Sequence, residues 1–210
     1  MIRYVIWDAG GTLFNTYPAK TLAFQRALAD MNAMADASYI LSLTRQSTAH
    51  AIHALAKEFD LDLPVFEARY RQHYRAIPAS EQPPFPGVKE ICAYICSVGE
   101  NFIVTHRGAE SLHQLLRAHD MGYYFVDSLT KESPFPRKPA PGALEAVVKA
   151  HGLDPRITLA VGDRPIDIFA ARAAGLRTCL YGDADVPAEI KIKDYADLLR
   201  ILRAENEAKA

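Results

Sequence analysis

Short apolar runs recur along the chain, and each one ends in a polar or glycine-containing turn. The first covers residues 2–7 and is followed at once by the sequence Asp-Ala-Gly-Gly-Thr. A short apolar run closed by turn residues is typical of a strand that is buried on both faces. This pattern predicts five strands, over residues 2–7, 102–104, 123–126, 157–161 and 178–181.

Helical periodicity fills most of the intervals between these strands. It covers residues 88–98, 111–119, 141–151 and 166–174. Gly175 follows the last of these segments, as is common at the end of a helix. Strands that alternate with helices favour a parallel sheet joined by right-handed crossovers. The predicted fold class is therefore α/β, a parallel sheet flanked by helices.

Residues 17–80 break this alternation. They show helical periodicity in three or four amphipathic segments and no apolar run that predicts a strand. Prolines and a glycine at residues 83–87 then mark the return to the sheet. We therefore expect two domains, a core of residues 1–15 and 85–210 and an inserted all-helical domain of residues 16–84.

Composition argues against several classes of function. Positive and negative charges nearly cancel, with 24 Lys and Arg against 25 Asp and Glu, so a nucleic-acid partner is not expected. No stretch approaches the roughly 18 apolar residues of a membrane span, and the first apolar run is too short for a signal peptide. We expect a cytoplasmic protein with no membrane partner.

Local features of the chain support two smaller expectations. Three cysteines in a chain of this length argue against a disulfide framework, and Cys92 and Cys96 are expected to be small buried residues. Residues 204–210 are polar and are expected to fray.

Polar side chains follow three of the predicted strands. Asp8, Thr105 and Asp163 each stand just past a strand's carboxyl end, where ligands bind in open α/β sheets. Lys138 lies in a proline-rich stretch immediately before a helix. Two carboxylates, a hydroxyl and an ammonium in one crevice suit a magnesium ion and a phosphate. Each residue alone has an ordinary explanation as a turn former, a helix cap or a solvated charge.

Four segments carry these residues in a particular order. They are Asp8-Ala9-Gly10-Gly11-Thr12-Leu13, Val104-Thr105-His106-Arg107, Arg137-Lys138-Pro139 and Gly162-Asp163-Arg164-Pro165-Ile166-Asp167. In this order they resemble the motifs of the haloacid dehalogenase superfamily, and specifically its phosphoglycolate phosphatase-like branch. The resemblance covers nearly the whole chain, because the helical insert has the position of that superfamily's cap domain.

The resemblance implies a Rossmann-like core with an all-helical cap that hydrolyses a small phosphorylated metabolite through an aspartyl-phosphate. The implied roles are nucleophile for Asp8, phosphate-contacting catalytic groups for Thr105 and Lys138, and a substrate-binding turn for Gly11 and Thr12.

The cofactor implied by the resemblance is Mg²⁺. Its implied ligands are Asp8, the backbone carbonyl of Gly10, Asp163 and Asp167. Asp163 and Asp167 are four residues apart, a spacing that puts both on one face of the helix expected to begin near Asp163.

Gly10 departs from the superfamily's pattern. Its phosphatases usually carry a second aspartate two residues after the nucleophile, which protonates the leaving oxygen and later activates water. General acid–base help of this kind is worth about a hundred- to ten-thousand-fold in rate. Gly10 offers only its backbone carbonyl.

Three interpretations of this departure are open. We favour a phosphatase in which a cap residue, a water, an acidic leaving group or His106 covers the missing role, since imidazole titrates near neutral pH. The second is a phosphonoacetaldehyde hydrolase-like enzyme that cleaves a C–P bond, which needs a cap lysine for a Schiff base, with Lys20 or Lys57 as candidates. The third is a catalytically weak protein that binds a phosphorylated ligand.

Further substrate contacts are expected from His106, Arg107 and Arg45. Arg45 lies in a polar stretch, residues 44–50, that is expected to face the site, and a solvated loop between helices is the alternative. Its guanidinium suits a carboxylate or a second phosphate on a small metabolite. The sequence is compatible with a monomer and with a homodimer.

Overall fold

The structure is a computed structural model that describes residues 1–208. It divides into two compact units, one formed by Met1–Phe14 with the chain from Pro84 onward and the other by Asn15–Pro83. These boundaries lie one residue from those expected from the sequence. The first unit holds the sheet, and the second is helical.

The core unit is built on one six-stranded sheet with the strand order β3-β2-β1-β4-β5-β6, in which every neighbouring pair is parallel. The strands are β1 (Tyr4–Trp7), β2 (Glu100–Val104), β3 (Phe125–Leu129), β4 (Thr158–Gly162), β5 (Arg177–Tyr181) and β6 (Ile190–Ile192). The α/β fold class predicted from the sequence is confirmed.

Five of these strands match the predicted runs, with shifted ends. The largest shift affects the run predicted at 123–126, because Gly122–Tyr124 forms a 3₁₀ turn and β3 begins only at Phe125. The sixth strand, Ile190–Ile192, was not predicted. Three residues with a lysine in the middle are too short to register as a periodic pattern.

Helices cover both units. They are α1 (Tyr17–Ala29), α2 (Ala37–Gln46), α3 (Thr48–Glu58), α4 (Leu63–Ala76), α5 (Val88–Val98), α6 (Ala109–Ala118), α7 (Gly142–His151), α8 (Pro165–Ala173) and α9 (Tyr195–Glu207). Short 3₁₀ turns lie at Ala79–Glu81, Gly122–Tyr124 and Pro155–Ile157. Within residues 1–208, no helix combines the length and apolar character that crossing a membrane requires.

The helical unit, α1 to α4, has an aromatic core of its own. Phe24 stacks on Tyr70 at a ring-centroid distance of 4.0 Å, and Phe66 packs at 6.1 Å from Phe24. Leu28, Ile40 and other aliphatic side chains complete this buried cluster. Because the cluster draws on all four helices, the insert is held together by its own hydrophobic burial.

The end of the chain corrects two sequence expectations. Helix α9 was not predicted, and it continues to Glu207 across most of the segment expected to fray, of which residues 209–210 lie outside the described part. Only Tyr195, Leu198 and Leu202 of this helix are buried, and many residues around them are charged. The helical periodicity of its apolar residues is therefore weak in the sequence. Glu205 pairs with Arg177 of β5 at 2.7 Å, which ties the last turn to the sheet.

The interior of the core contains a buried polar link. The Trp7 indole N–H donates to Asn101 Oδ1 at 2.9 Å, and Asn101 Nδ2 donates to the Cys92 carbonyl at 3.0 Å. These bonds join β1, β2 and α5 and satisfy groups that burial would otherwise penalise. Cys92 is buried as expected, whereas Cys96 on the next turn is exposed, and all three cysteines are free.

Gly162 ends β4 at a point where the first turn of α8 comes very close. A Cβ on Gly162 would lie 2.3 Å from the Cβ of Asp167 and 2.6 Å from its Cγ. Real Cβ atoms do not approach this closely, so only glycine lets the Asp167 side chain cross the strand end.

Replacing Gly162 with alanine is expected to lower the free energy of unfolding by about 1–3 kcal/mol, the usual cost of overpacking a tight site. Urea denaturation measures the change. Gly122→Ala is the matched control, because a Cβ there meets no atom within 4 Å. Equal unfolding free energies for the two variants would show that the contact is not a constraint.

Candidate active site

The candidate site lies at the carboxyl ends of three neighbouring strands of the core unit. Asp8 follows β1, Thr105 follows β2 and Asp163 follows β4. Since β1 pairs with both β2 and β4, these three positions lie side by side along one edge of the sheet. The register of the parallel sheet therefore brings together residues that are far apart in sequence.

The loop after β1 is tightly hydrogen-bonded. The Asp8 N–H donates to the Val161 carbonyl at 2.9 Å, and the Phe14 N–H donates to the Ala9 carbonyl at 2.9 Å. Gly11 adopts a φ of +102°, a conformation that side chains disfavour. The loop is thus held in one conformation before any ligand arrives.

Tyr195 supports this loop from α9. Its buried hydroxyl donates to the Thr12 carbonyl at 2.8 Å, and its ring stacks on Tyr181 at 4.6 Å. Tyr195 was not predicted as a site residue, because the helix that carries it was not predicted. No motif in the sequence marks it, since its role depends on a contact with a residue 183 positions away.

Lys138 is the central cation of the site. Its ammonium lies 2.7 Å from Asp8 Oδ1, 2.5 Å from Asp167 Oδ1 and 3.0 Å from the Val104 carbonyl oxygen. The ammonium donates hydrogen bonds to Asp8 and to the Val104 carbonyl, whereas its contact with Asp167 is an ion pair. The side chains of Lys138, Asp8 and Asp167 are all at most 5% exposed.

Burial and neighbouring charges shift the pKa values of Asp8 and Lys138 in opposite directions. Burial raises the pKa of Asp8, but the positive charges of Lys138 and Arg164 outweigh it and hold the pKa below its ordinary value. Burial lowers the pKa of Lys138, but the charges of Asp167 and Asp8 outweigh it and raise the pKa. Both shifts favour the ionised forms of Asp8 and Lys138.

Three carboxylates meet at this point. Asp8, Asp163 and Asp167 each offer an oxygen within 4.8 Å of the others. The Thr12 hydroxyl donates to Asp163 Oδ1 at 3.2 Å, and the Arg164 N–H donates to Asp167 Oδ2 at 3.1 Å. Hard carboxylate oxygens are the donors that Mg²⁺ prefers, so this set fits such an ion.

The expectation that Asp163 and Asp167 share a helix face is wrong. Helix α8 begins only at Pro165, with Arg164 at its N-cap, and Asp163 lies in the turn before it. Proline at the first helical position sets this start. Asp163 and Asp167 converge because the turn and the first helical turn both face the strand ends.

Thr105 is buried beside β3. Its N–H donates to the Leu129 carbonyl at 2.9 Å, and its hydroxyl oxygen accepts the Arg107 N–H at 3.2 Å. The Arg107 guanidinium donates to the Ser111 hydroxyl at 2.6 Å, in the first turn of α6. The Thr105 side chain is therefore fixed, and one donor of Arg107 is engaged within the core.

His106 is fixed by a contact that the sequence does not reveal. Its Nε2 accepts the backbone N–H of Lys138 at 2.9 Å, which places the proton of the neutral ring on Nδ1. Burial, followed by the charges of Lys138 and Arg164, lowers the pKa of His106 to about 4. The imidazole thus ties the lysine loop to the end of β2.

Arg45 belongs to the helical unit. The alternative of a loop over residues 44–50 is wrong, because α2 runs to Gln46 and α3 begins at Thr48, with only Ser47 between them. The Arg45 guanidinium lies 5.9 Å from the centre of the Tyr17 ring, and the Lys20 ammonium lies 5.2 Å from it. Two cations therefore gather around one aromatic ring of α1.

Comparison with known proteins agrees with this architecture. The model of the haloacid dehalogenase-like hydrolase family matches residues 5–181. The chain belongs to this family. It is a hydrolase of the phosphatase type, and the resemblance seen in its motifs to the phosphoglycolate phosphatase-like branch is confirmed.

Curated relatives and solved structures resemble this haloacid dehalogenase-like hydrolase over most of its length. A phosphoglycolate phosphatase of Aliivibrio fischeri is 28% identical over 191 residues, covering 83% of this chain and 81% of the relative. A hydrolase structure from Streptococcus pneumoniae is 28% identical with a TM-score of 0.68, covering 96% and 98% of the two chains.

A structure described as a predicted phosphoglycolate phosphatase from Haemophilus somnus superposes with a TM-score of 0.84 at 23% identity, again covering 96% and 98% of the chains. At that identity the likeness supports the fold alone.

The ring of His106 gives a direct test of the site geometry. Nitrogen-15 NMR across a pH titration is expected to show Nε2 without a proton, Nδ1 with one, and a titration midpoint near 4 rather than near the ordinary 6.5. His106→Asn supplies the assignment by loss of the signal. A proton on Nε2 at neutral pH would contradict the hydrogen bond from Lys138.

Proposed function

We propose that the protein is a Mg²⁺-dependent phosphatase that hydrolyses a small phosphorylated metabolite through an aspartyl-phosphate on Asp8. The observation that carries this proposal is the buried Asp8 carboxylate, held ionised by Lys138 at 2.7 Å at the meeting point of three strand ends. A desolvated and ionised carboxylate is a nucleophile suited to attack on phosphorus.

Lys138 positions and balances the charge of the nucleophile. Its ammonium contacts both Asp8 and Asp167, so one positive charge lies between the two carboxyl groups. When a phosphate dianion enters, the same ammonium offsets part of its charge. Lys138 thereby lowers the electrostatic cost of bringing two anions into contact.

Asp8, Asp163, Asp167 and the carbonyl of Gly10 are the residues that would hold Mg²⁺. The ion would supply positive charge against the phosphoryl oxygens. Thr12 fixes the orientation of Asp163, and the Arg164 N–H fixes Asp167, so the donors are preorganised by hydrogen bonds of the chain itself.

Thr105, Gly11 and Thr12 line the place where the phosphate would sit. The Thr105 hydroxyl accepts one bond from Arg107, and its own proton would be donated to a phosphoryl oxygen. The Gly11 N–H donates to the Phe14 carbonyl at 2.9 Å, and the Thr12 hydroxyl donates to Asp163, so these two residues would shape the site around the phosphate.

The substrate contacts expected from the sequence divide into two kinds. His106 supports the Lys138 loop through Nε2, which favours a structural contribution over direct contact with substrate through that atom. Arg107 and Arg45 remain candidates for binding the rest of the metabolite. The names of the relatives support a small phosphate monoester as the substrate class.

The C–P hydrolase alternative finds less support. It requires a cap lysine that forms a Schiff base, whereas the Lys20 ammonium packs over the Tyr17 ring within the helical unit, 5.2 Å from the ring centre. The family membership also favours an enzyme over a ligand sensor.

Asp8→Asn is expected to abolish phosphate release from a panel of phosphomonoesters, because an amide cannot form the aspartyl-phosphate. The assay is run with Mg²⁺ and again after chelation, and only the wild type with Mg²⁺ is expected to turn over. Asp183→Asn, an exposed site paired with Lys193, is the matched control. Activity that survives in Asp8→Asn would refute the nucleophile assignment.

A further inference from the structure

The Lys138 ammonium is engaged with the groups around Asp8 in the core unit. It donates hydrogen bonds to Asp8 Oδ1 and to the Val104 carbonyl, and it forms an ion pair with Asp167. Donating one of its protons to a departing oxygen would break a buried ion pair, which is costly in a desolvated site. Lys138 is thus a stabiliser of charge and not a proton source for the leaving group.

His106 is engaged in a different way. Its basic nitrogen, Nε2, is occupied by the Lys138 N–H at 2.9 Å. The remaining ring proton, on Nδ1, belongs to a neutral imidazole and is a very weak acid. An imidazole in this state neither protonates a leaving oxygen nor accepts a proton through Nε2.

Gly10 brings no side chain to the loop that carries Asp8. Among the described residues, positive φ values occur at Gly11 and at later glycines but not at Gly10. The φ angle at position 10 therefore does not itself demand glycine.

We propose that this site acts on phosphates whose leaving oxygen is a weak base, such as acyl, enol or aryl phosphates, and discriminates against phosphate esters of simple alcohols. The proposal rests on the proposed function of Asp8. Its basis is that Lys138 is hydrogen-bonded to Asp8 and to the Val104 carbonyl and His106 accepts the Lys138 N–H through Nε2, while Gly10 adds no side chain. A leaving group that departs as a stable anion needs no proton.

The proposed reaction transfers the phosphoryl group from the leaving oxygen to Asp8 and then to water. An Asp8 carboxylate oxygen forms a bond to phosphorus, and the bond from phosphorus to the leaving oxygen breaks. The electron pair departs with that oxygen, as a carboxylate, enolate or phenolate that exchanges protons only with solvent. Water then attacks phosphorus, the bond to Asp8 breaks, inorganic phosphate leaves, and the water's proton passes to solvent.

A linear free-energy series tests this proposal on the wild type alone. The substrates are phenyl, 4-nitrophenyl and 2,4-dinitrophenyl phosphates, with acetyl phosphate and 2-phosphoglycolate added. We expect kcat/KM to fall steeply as the leaving oxygen becomes more basic, because nothing neutralises it as it departs. A nearly flat dependence would show that a proton donor acts and would overturn the proposal.

Gly10→Asp and Gly10→Asn supply a matched pair of nearly equal size. Only the aspartate can donate a proton, so Gly10→Asp should exceed Gly10→Asn by about a hundredfold on 2-phosphoglycolate. The two variants should differ little on 2,4-dinitrophenyl phosphate. Equal activities on every substrate, or an equal gain on all of them, would contradict the proposal.

The Asp8→Asn variant distinguishes failure of the leaving-group proposal from failure of the proposed phosphatase function. It also measures the uncatalysed hydrolysis of acetyl phosphate. Turnover that depends on Asp8 but is insensitive to the leaving group overturns the leaving-group proposal and leaves the phosphatase intact. Turnover of none of these substrates above the Asp8→Asn background overturns both.

Discussion

The buried ammonium of Lys138 is the interaction on which the site depends. Removing a lysine and two carboxylates from water costs several kcal/mol per ion, and only close mutual contact offsets that cost. Lys138 meets this condition with Asp8 at 2.7 Å and Asp167 at 2.5 Å. His106 accepts the backbone N–H of Lys138, and the Val104 carbonyl accepts a hydrogen bond from the Lys138 ammonium.

The sheet supplies the geometry that makes this contact possible. Asp8 stands at the end of β1, and Gly162 at the end of β4 leaves space for the Asp167 carboxylate to reach the same point. Tyr195 holds the loop after Asp8 through the Thr12 carbonyl. Asp8, Lys138 and the candidate metal ligands are therefore all carried by the core unit, close to the ends of its strands.

Local patterns were enough to predict the strand ends, and with them Asp8, Thr105 and Asp163, because an apolar run followed by a polar turn is written in consecutive residues. The ion pair between Lys138 and Asp8 spans 130 positions and depends on a loop without periodicity, so its geometry was not accessible from the sequence. Tyr195 was missed for a related reason, since the apolar stripe of α9 is narrow and surrounded by charges.

The pKa and hydrogen bonding of His106 depend on its surroundings in the fold. From the sequence, a histidine beside Thr105 is a candidate acid or base, because the free side chain titrates near neutral pH. In the fold, burial and two neighbouring cations lower its pKa to about 4, and its acceptor nitrogen supports the lysine loop. As a histidine, His106 is a candidate to carry a proton. Its surroundings in the fold favour instead a fixed, neutral hydrogen-bond acceptor.

Trapping the covalent intermediate tests the central claim most directly. The enzyme, turning over an aryl phosphate with Mg²⁺, is quenched in acid, reduced with borohydride and digested, and the peptide that contains Asp8 is examined by mass spectrometry. The account predicts that Asp8 is converted to the reduced derivative of an acyl phosphate. Catalytic turnover with an unmodified Asp8 peptide, and modification at another residue, would contradict it.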